Sequence, residues 1–168
     1  LETPVHHVVD PLLAQAAQRR SASANGKPDG PPAMPVDLPD VAVGPTARPM
    51  SILGLAASPW APLAAASGYK QVRLFNTDTE DEFGHLLFEP GVPHVLKFSQ
   101  NGEILMAAGG HPGHSGSVVL YDVKTGDVVG RFGDELDTVL AADISPDQKL
   151  VAFGGPGRTV KAYSTESG

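Results

Sequence analysis

Three copies of one short pattern constrain this chain more than any other feature. Leu55-Ala56-Ala57-Ser58-Pro59, Leu96-Lys97-Phe98-Ser99-Gln100 and Ala142-Asp143-Ile144-Ser145-Pro146 are each followed by an apolar run, small residues and a segment that ends in an aromatic. The serines lie 41 and 46 residues apart, and the closing aromatics Phe75, Tyr121 and Tyr163 lie 46 and 42 apart. The turns after those aromatics also correspond: Asn76-Thr77-Asp78-Thr79-Glu80, Asp122-Val123-Lys124-Thr125-Gly126 and Ser164-Thr165-Glu166-Ser167-Gly168. Agreement at the serine, the aromatic and the turn identifies a repeat.

A period of roughly 40 to 45 residues with several short strands per unit is the signature of four-stranded propeller blades. The expected fold is therefore all-β: a partial β-propeller of about three blades, the last incomplete, preceded by a short helix and a Pro-rich linker. Residues 1–50 form the helix and linker, and residues 51–168 the propeller segment, with blades at about 52–88, 94–132 and 139–168. Strands are predicted at 52–57, 63–67, 71–76 and 83–88, then at 94–98, 104–108, 117–122 and 127–132, then at 139–144, 150–154 and 159–164. Asn101-Gly102 supplies a hairpin turn, because Asn-Gly accepts the left-handed backbone of a tight hairpin.

Asp10-Pro11 before Leu12, Leu13, Ala14, Ala16 and Ala17 reads as a short helix with Asp10 as N-cap, Pro11 in the first position and Arg19-Arg20 at its C-terminal end. The prolines at 28, 31, 32, 35, 39, 45 and 49 forbid a regular ladder and favour extended chain. That stretch reads as a tether, with a proline-recognition motif as the functional alternative.

Composition removes several functions. The net charge is -7, split as four Lys/Arg against five Asp/Glu in 1–50 and eight against fourteen in 51–168. Without a basic stripe there is no electrostatic footprint for nucleic acid. With no cysteine, disulfides, thiolate zinc sites, a cysteine nucleophile and covalent haem attachment are all absent from the segment. No apolar run approaches the length of a membrane span, and the chain begins at Leu1, which suggests an excerpt of a longer product.

Candidate sites are few. Gly109-Gly110-His111-Pro112-Gly113-His114-Ser115-Gly116 reads as an inserted, flexible, exposed loop; its two histidines are too few for zinc, which usually takes four ligands. His6-His7 reads as an exposed pair. The acidic stretches Asp78, Glu80, Asp81, Glu82 and Asp134, Glu135, Asp137 read as solvated turn charge, not as a calcium site. Ser58, Ser99 and Ser145 recur at one place in every unit, as a structural turn residue does, and no Gly-x-Ser-x-Gly elbow is present. The Gly-Gly pairs at 109–110 and 154–155 read as turns, since no helix follows them to make a phosphate cradle. Trp60, Tyr69, His111 and His114 are the candidate partner-contact residues. No catalytic, cofactor-binding or metal residue is assigned.

The units resemble WD40 repeats, whose third strand ends in Trp-Asp and whose first turn often reads Ser-Pro-Asp-Gly. The corresponding dipeptides here are Phe75-Asn76, Tyr121-Asp122 and Tyr163-Ser164. The Asp normally found before the third strand is replaced by Tyr69, Ser115 and Gly157, and no proper Gly-His pair precedes each first strand. Residues 26–168 are further similar to large bacterial proteins in which a c-type cytochrome domain precedes WD40 repeats. That likeness rests on 57–63, 93–99, 122–126 and 140–145, and on a tether like residues 26–35. It implies haem c in an upstream domain, an extracytoplasmic (periplasmic) location and further blades beyond Gly168.

The expected function is a non-catalytic propeller scaffold that presents loops to a protein partner or to another domain of the same polypeptide. The alternative is a support or docking domain for an electron-transfer or oxidoreductase protein whose haem domain lies upstream. A propeller hydrolase would need convergent acids or a metal in the central channel, and the inner strands offer mainly Lys97 and Asp143.

Overall fold

The computed structural model describes residues 26–27, 30–36, 38 and 51–166. The helix read at Asp10–Arg20 and the pair His6-His7 lie outside the described residues. Within them there is no helix, and eleven strands follow one another: β1 (Leu55–Ala57), β2 (Leu63–Gly68), β3 (Gln71–Asn76), β4 (Glu82–Leu87), β5 (Val92–Phe98), β6 (Ile104–His111), β7 (Ser115–Asp122), β8 (Val128–Glu135), β9 (Ala141–Ile144), β10 (Leu150–Gly154) and β11 (Val160–Ser164). They form three antiparallel sheets of four, four and three strands, ordered β1-β2-β3-β4, β5-β6-β7-β8 and β9-β10-β11. None of the sheets closes on itself. No described helix is long and apolar enough to cross a membrane.

Side-chain pattern explains how the sheets stack. In β3 the buried Val72 and Leu74 flank the exposed Arg73, as expected for a strand with one covered face. In β10 the buried Val151 and Phe153 alternate with less buried neighbours. The middle sheet differs: Leu105, Met106, Ala107 and Ala108 of β6 are all buried, and so are Val118, Val119, Leu120 and Tyr121 of β7. Continuous apolar runs of this kind belong to strands covered on both faces.

Two cores result. Leu63, Ala65, Val72, Leu74, Leu86 and Phe88 of the first unit meet Leu96, Phe98, Leu105, Ala107, Val119 and Tyr121 of the second. On the opposite face, Met106, Ala108, Val118, Leu120 and Phe132 meet Val139, Ile144, Val151 and Phe153 of the third unit. Each fully buried Leu or Phe contributes about 1.5–3 kcal/mol. Between sheets, backbone approach runs mainly through the first strands, β5 lying against β1, β2 and β9.

The sequential strand order puts the turns at alternating ends. The β1–β2, β3–β4, β5–β6, β7–β8 and β9–β10 turns share one end, here the lower end. The β2–β3, β6–β7 and β10–β11 turns and the links between sheets share the upper end.

Two local readings change. The stretch 30–38, read as a tether, is in part docked: Ala33 is 2% exposed, Met34 and Leu38 pack against the first core, and the Val36 N–H donates to the Lys124 carbonyl at 2.9 Å. The loop read at Gly109–Gly116 is mostly ladder, because Gly109, Gly110 and His111 pair with Ser117, Gly116 and Ser115. Only 112–114 turns. A Cβ at Gly110 would collide with the Ser115 carbonyl, and one at Gly116 with the Asp137 carbonyl, so these glycines permit close backbone approach.

Candidate functional site

The recurrent serine closes each first hairpin at the lower end. Ser99 Oγ accepts the Ile104 N–H at 3.0 Å and donates to Asn101 Oδ1 at 2.7 Å; Ser145 Oγ accepts the Leu150 N–H at 3.0 Å and donates to Asp147 Oδ1 at 2.6 Å. In the first unit, where Pro59 and Pro62 alter the turn, Ser58 Oγ accepts the Ala61 N–H at 3.3 Å. A hydroxyl engaged in this way is a turn cap and has no free role as a nucleophile. The loop is longer than a two-residue hairpin: Gly102 (φ 78°) alone takes the left-handed backbone, and Gln148 (φ 58°) takes it in the third unit.

These lower turns are joined across sheets. The Trp60 indole N–H donates to the Gln100 carbonyl at 2.8 Å, and Gln148 Nε2 donates to Asn101 Oδ1 at 2.6 Å. The residue after each aromatic caps the next turn. Asn76 Oδ1 accepts the Asp78 N–H at 2.8 Å, Asp122 Oδ1 accepts the Lys124 N–H at 2.8 Å, and Ser164 Oγ accepts the Glu166 N–H at 3.2 Å.

Three of the four candidate contact residues sit at the upper end. Tyr69 occupies the β2–β3 turn beside Lys70 (φ 56°). His111 and His114 flank the β6–β7 turn with their rings edge to face, centroids 4.9 Å apart and planes at 77°. That turn is held by the His114 N–H on the His111 carbonyl at 3.0 Å and by Ser115 Oγ, which donates to the Pro90 carbonyl at 2.7 Å. Trp60 lies at the opposite end, so the four do not form one surface. Among the described residues, no three His, Asp or Glu side chains are grouped to hold a metal ion.

Ion pairs lie at the sheet junctions. Glu89 takes Arg131 and Glu135 takes Lys161, each at 2.6 Å, and Lys97 pairs with Asp143 between β5 and β9. Glu89 and Glu135 lie 46 residues apart, the same spacing as Ser99 and Ser145, a signal already present in the sequence. In the first acidic stretch Glu82 is held below the usual carboxylate range by its hydrogen bonds to Arg73 at 2.8 and 2.6 Å, and the Arg73 guanidinium is correspondingly raised. Tyr121 donates its hydroxyl to the Leu87 carbonyl at 2.7 Å, and burial pushes its phenol well above the ordinary tyrosine value.

The upper end also carries a cleft of about 330 Å³ between the second and third sheets. Its walls come from Glu135, Asp137, Thr138, Phe153, Gly155 and Lys161, among others. Sequence reading had no signal for this cleft beyond the acidic stretch, because it is formed by residues some twenty positions apart. No protein-family model matches the chain, and no curated protein matches it.

Proposed function

We propose that the three sheets are consecutive blades of a WD40-type β-propeller and that the segment is a non-catalytic scaffold whose upper end contacts a protein partner. The observation that carries this reading is the set of exposed groups at the upper end. Side-chain hydrogen bonds join turns at both ends, but the upper end also presents the exposed rings of His111 and His114, the Tyr69 turn and an open cleft. Face-to-face stacking, with the first strands of successive sheets against each other, supports the blade arrangement. Recognition surfaces of this kind draw their affinity from aromatic and polar groups on loops that a rigid frame holds in place.

Photo-crosslinking in the native source tests it. A crosslinker at Tyr69 or His111 is expected to trap a defined protein partner, and one at Asp78 on the lower end is not. Equal labelling from both ends, or none from the upper end, would sink the assignment.

Support of a haem c domain on the same polypeptide is the second reading. The docking of Ala33 and Leu38 favours it, because it anchors the N-terminal stretch to the sheets in a fixed place. A reduced-minus-oxidised absorption spectrum of the native product is expected to show a c-type haem on this reading, and its absence would remove it.

A further inference from the structure

We propose that the cleft between the second and third sheets is a peptide-docking site, which takes the turn of a polypeptide hairpin carrying a basic side chain. The proposal rests on the reading of the upper end as the contact face. It starts from a difference in length. Ser99 and Tyr121 lie 22 residues apart, whereas Ser145 and Tyr163 lie 18 apart, so the third unit's β10–β11 hairpin is four residues shorter than β6–β7.

Between the first and second sheets, the longer hairpin fills the equivalent place. The link Glu89–Val92 there corresponds to Glu135–Thr138, 46 residues on, and it is covered: Ser115 Oγ donates to the Pro90 carbonyl, and Gly91 lies so close to Gly110 that a Cβ would collide with the Gly110 carbonyl. Between the second and third sheets the shortened hairpin leaves the cleft. Polypeptide backbone is thus the occupant that this repeat itself puts in such a groove.

The lining leaves one charge for the occupant to meet. Glu135 is paired with Lys161 at 2.6 Å. Asp137 Oδ1 accepts the Thr138 and Gly113 N–H groups at 2.7 and 3.2 Å but meets no cation among the described residues. A turn bearing a cationic side chain for Asp137 completes the site, with Phe153 and Pro156 as its apolar walls. The volume lies at the lower end of the range for ligand sites, about 300–1,000 Å³.

The probe is a cyclised peptide, Gly-Gly-Lys-Pro-Gly-Lys-Ser-Gly, compared with the same peptide carrying Glu in place of both Lys, each titrated into the ¹⁵N-labelled protein. Expected are amide shifts at residues 137–139 and 154–159, with affinity about tenfold higher for the Lys peptide, the effect of one charge-assisted hydrogen bond. Asp137→Asn keeps the acceptor for both N–H groups and is expected to remove that preference. A four-residue insertion after Pro156, which restores the longer hairpin, is expected to abolish the shifts. Absence of shifts at these amides, or equal binding of the two peptides, overturns the proposal. Crosslinking from Tyr69 that persists when the peptide fails to bind leaves the scaffold reading standing and removes only the cleft.

Discussion

The Trp60 indole N–H donates to the Gln100 carbonyl at 2.8 Å, 40 residues along the chain and on the neighbouring sheet. A side chain that looks like a free recognition aromatic is therefore committed to the junction of two units. Trp60 is 37% exposed, so the bond sits at the rim of the junction, where water competes.

Trp60→Phe is expected to destabilise the chain by about 0.5–1.5 kcal/mol, the net worth of one hydrogen bond. Urea denaturation followed by circular dichroism measures it. No change in the midpoint would show that the bond between turns carries no stability.

Ala33→Asp is expected to release the docked N-terminal stretch while leaving the three sheets folded, because a carboxylate has no partner in the first core. Limited proteolysis is the check. Cleavage between residues 26 and 38 should become faster with no change in the strand signal, and unchanged cleavage would mean that the docking has no energetic content.

Gly109→Ala and Gly113→Ala separate close approach from backbone conformation. A Cβ at Gly109 collides with the Val92 carbonyl, so about 1–3 kcal/mol is expected to be lost as β5 and β6 part. Gly113 has open space but a φ of 70°, which costs a side chain about 1–2 kcal/mol locally. Hydrogen exchange in β5 and β7 should rise for Gly109→Ala and stay near wild type for Gly113→Ala. Equal effects would return this hairpin to the status of a flexible loop.

Alkaline pH is expected to unfold the chain through Tyr121. Its phenol is raised in the folded state above the unfolded value of 10.0, so the folded state holds the proton more tightly. The resulting stability is complete below pH 10 and declines as pH rises towards the folded pKa. Tyr121→Phe should be less stable near neutrality by about 0.5–1.5 kcal/mol, having lost the bond to the Leu87 carbonyl, and should lack this alkaline decline. Parallel stability curves for the two proteins above pH 10 would refute the assignment.

Strand positions were legible because they depend on near neighbours. Val72-Arg73-Leu74 alternates, Val118-Val119-Leu120-Tyr121 does not, and those two patterns already distinguish a strand covered on one face from one covered on both. The turn role of Ser58, Ser99 and Ser145 was equally visible, since the hydroxyl acts within five residues. The candidate contact residues were only partly legible. Tyr69, His111 and His114 share an end because the strand order is sequential, but the bond that commits Trp60 to Gln100 spans two units and leaves no mark in local spacing.

The sequence by itself determined the repeat, the eleven strands, the antiparallel order that follows from short links, and the caps that close the turns. These are set by side-chain alternation and by hydrogen bonds between residues a few positions apart. Tertiary structure alone decided that Ala33 belongs to the first core, that Gly110 and Gly116 are ladder residues under close backbone approach, and that a four-residue difference in hairpin length leaves a cleft beside Thr138. Each of those depends on which surfaces meet when one sheet packs on another, and a chain's local pattern carries the identity of a face but not what comes to lie against it.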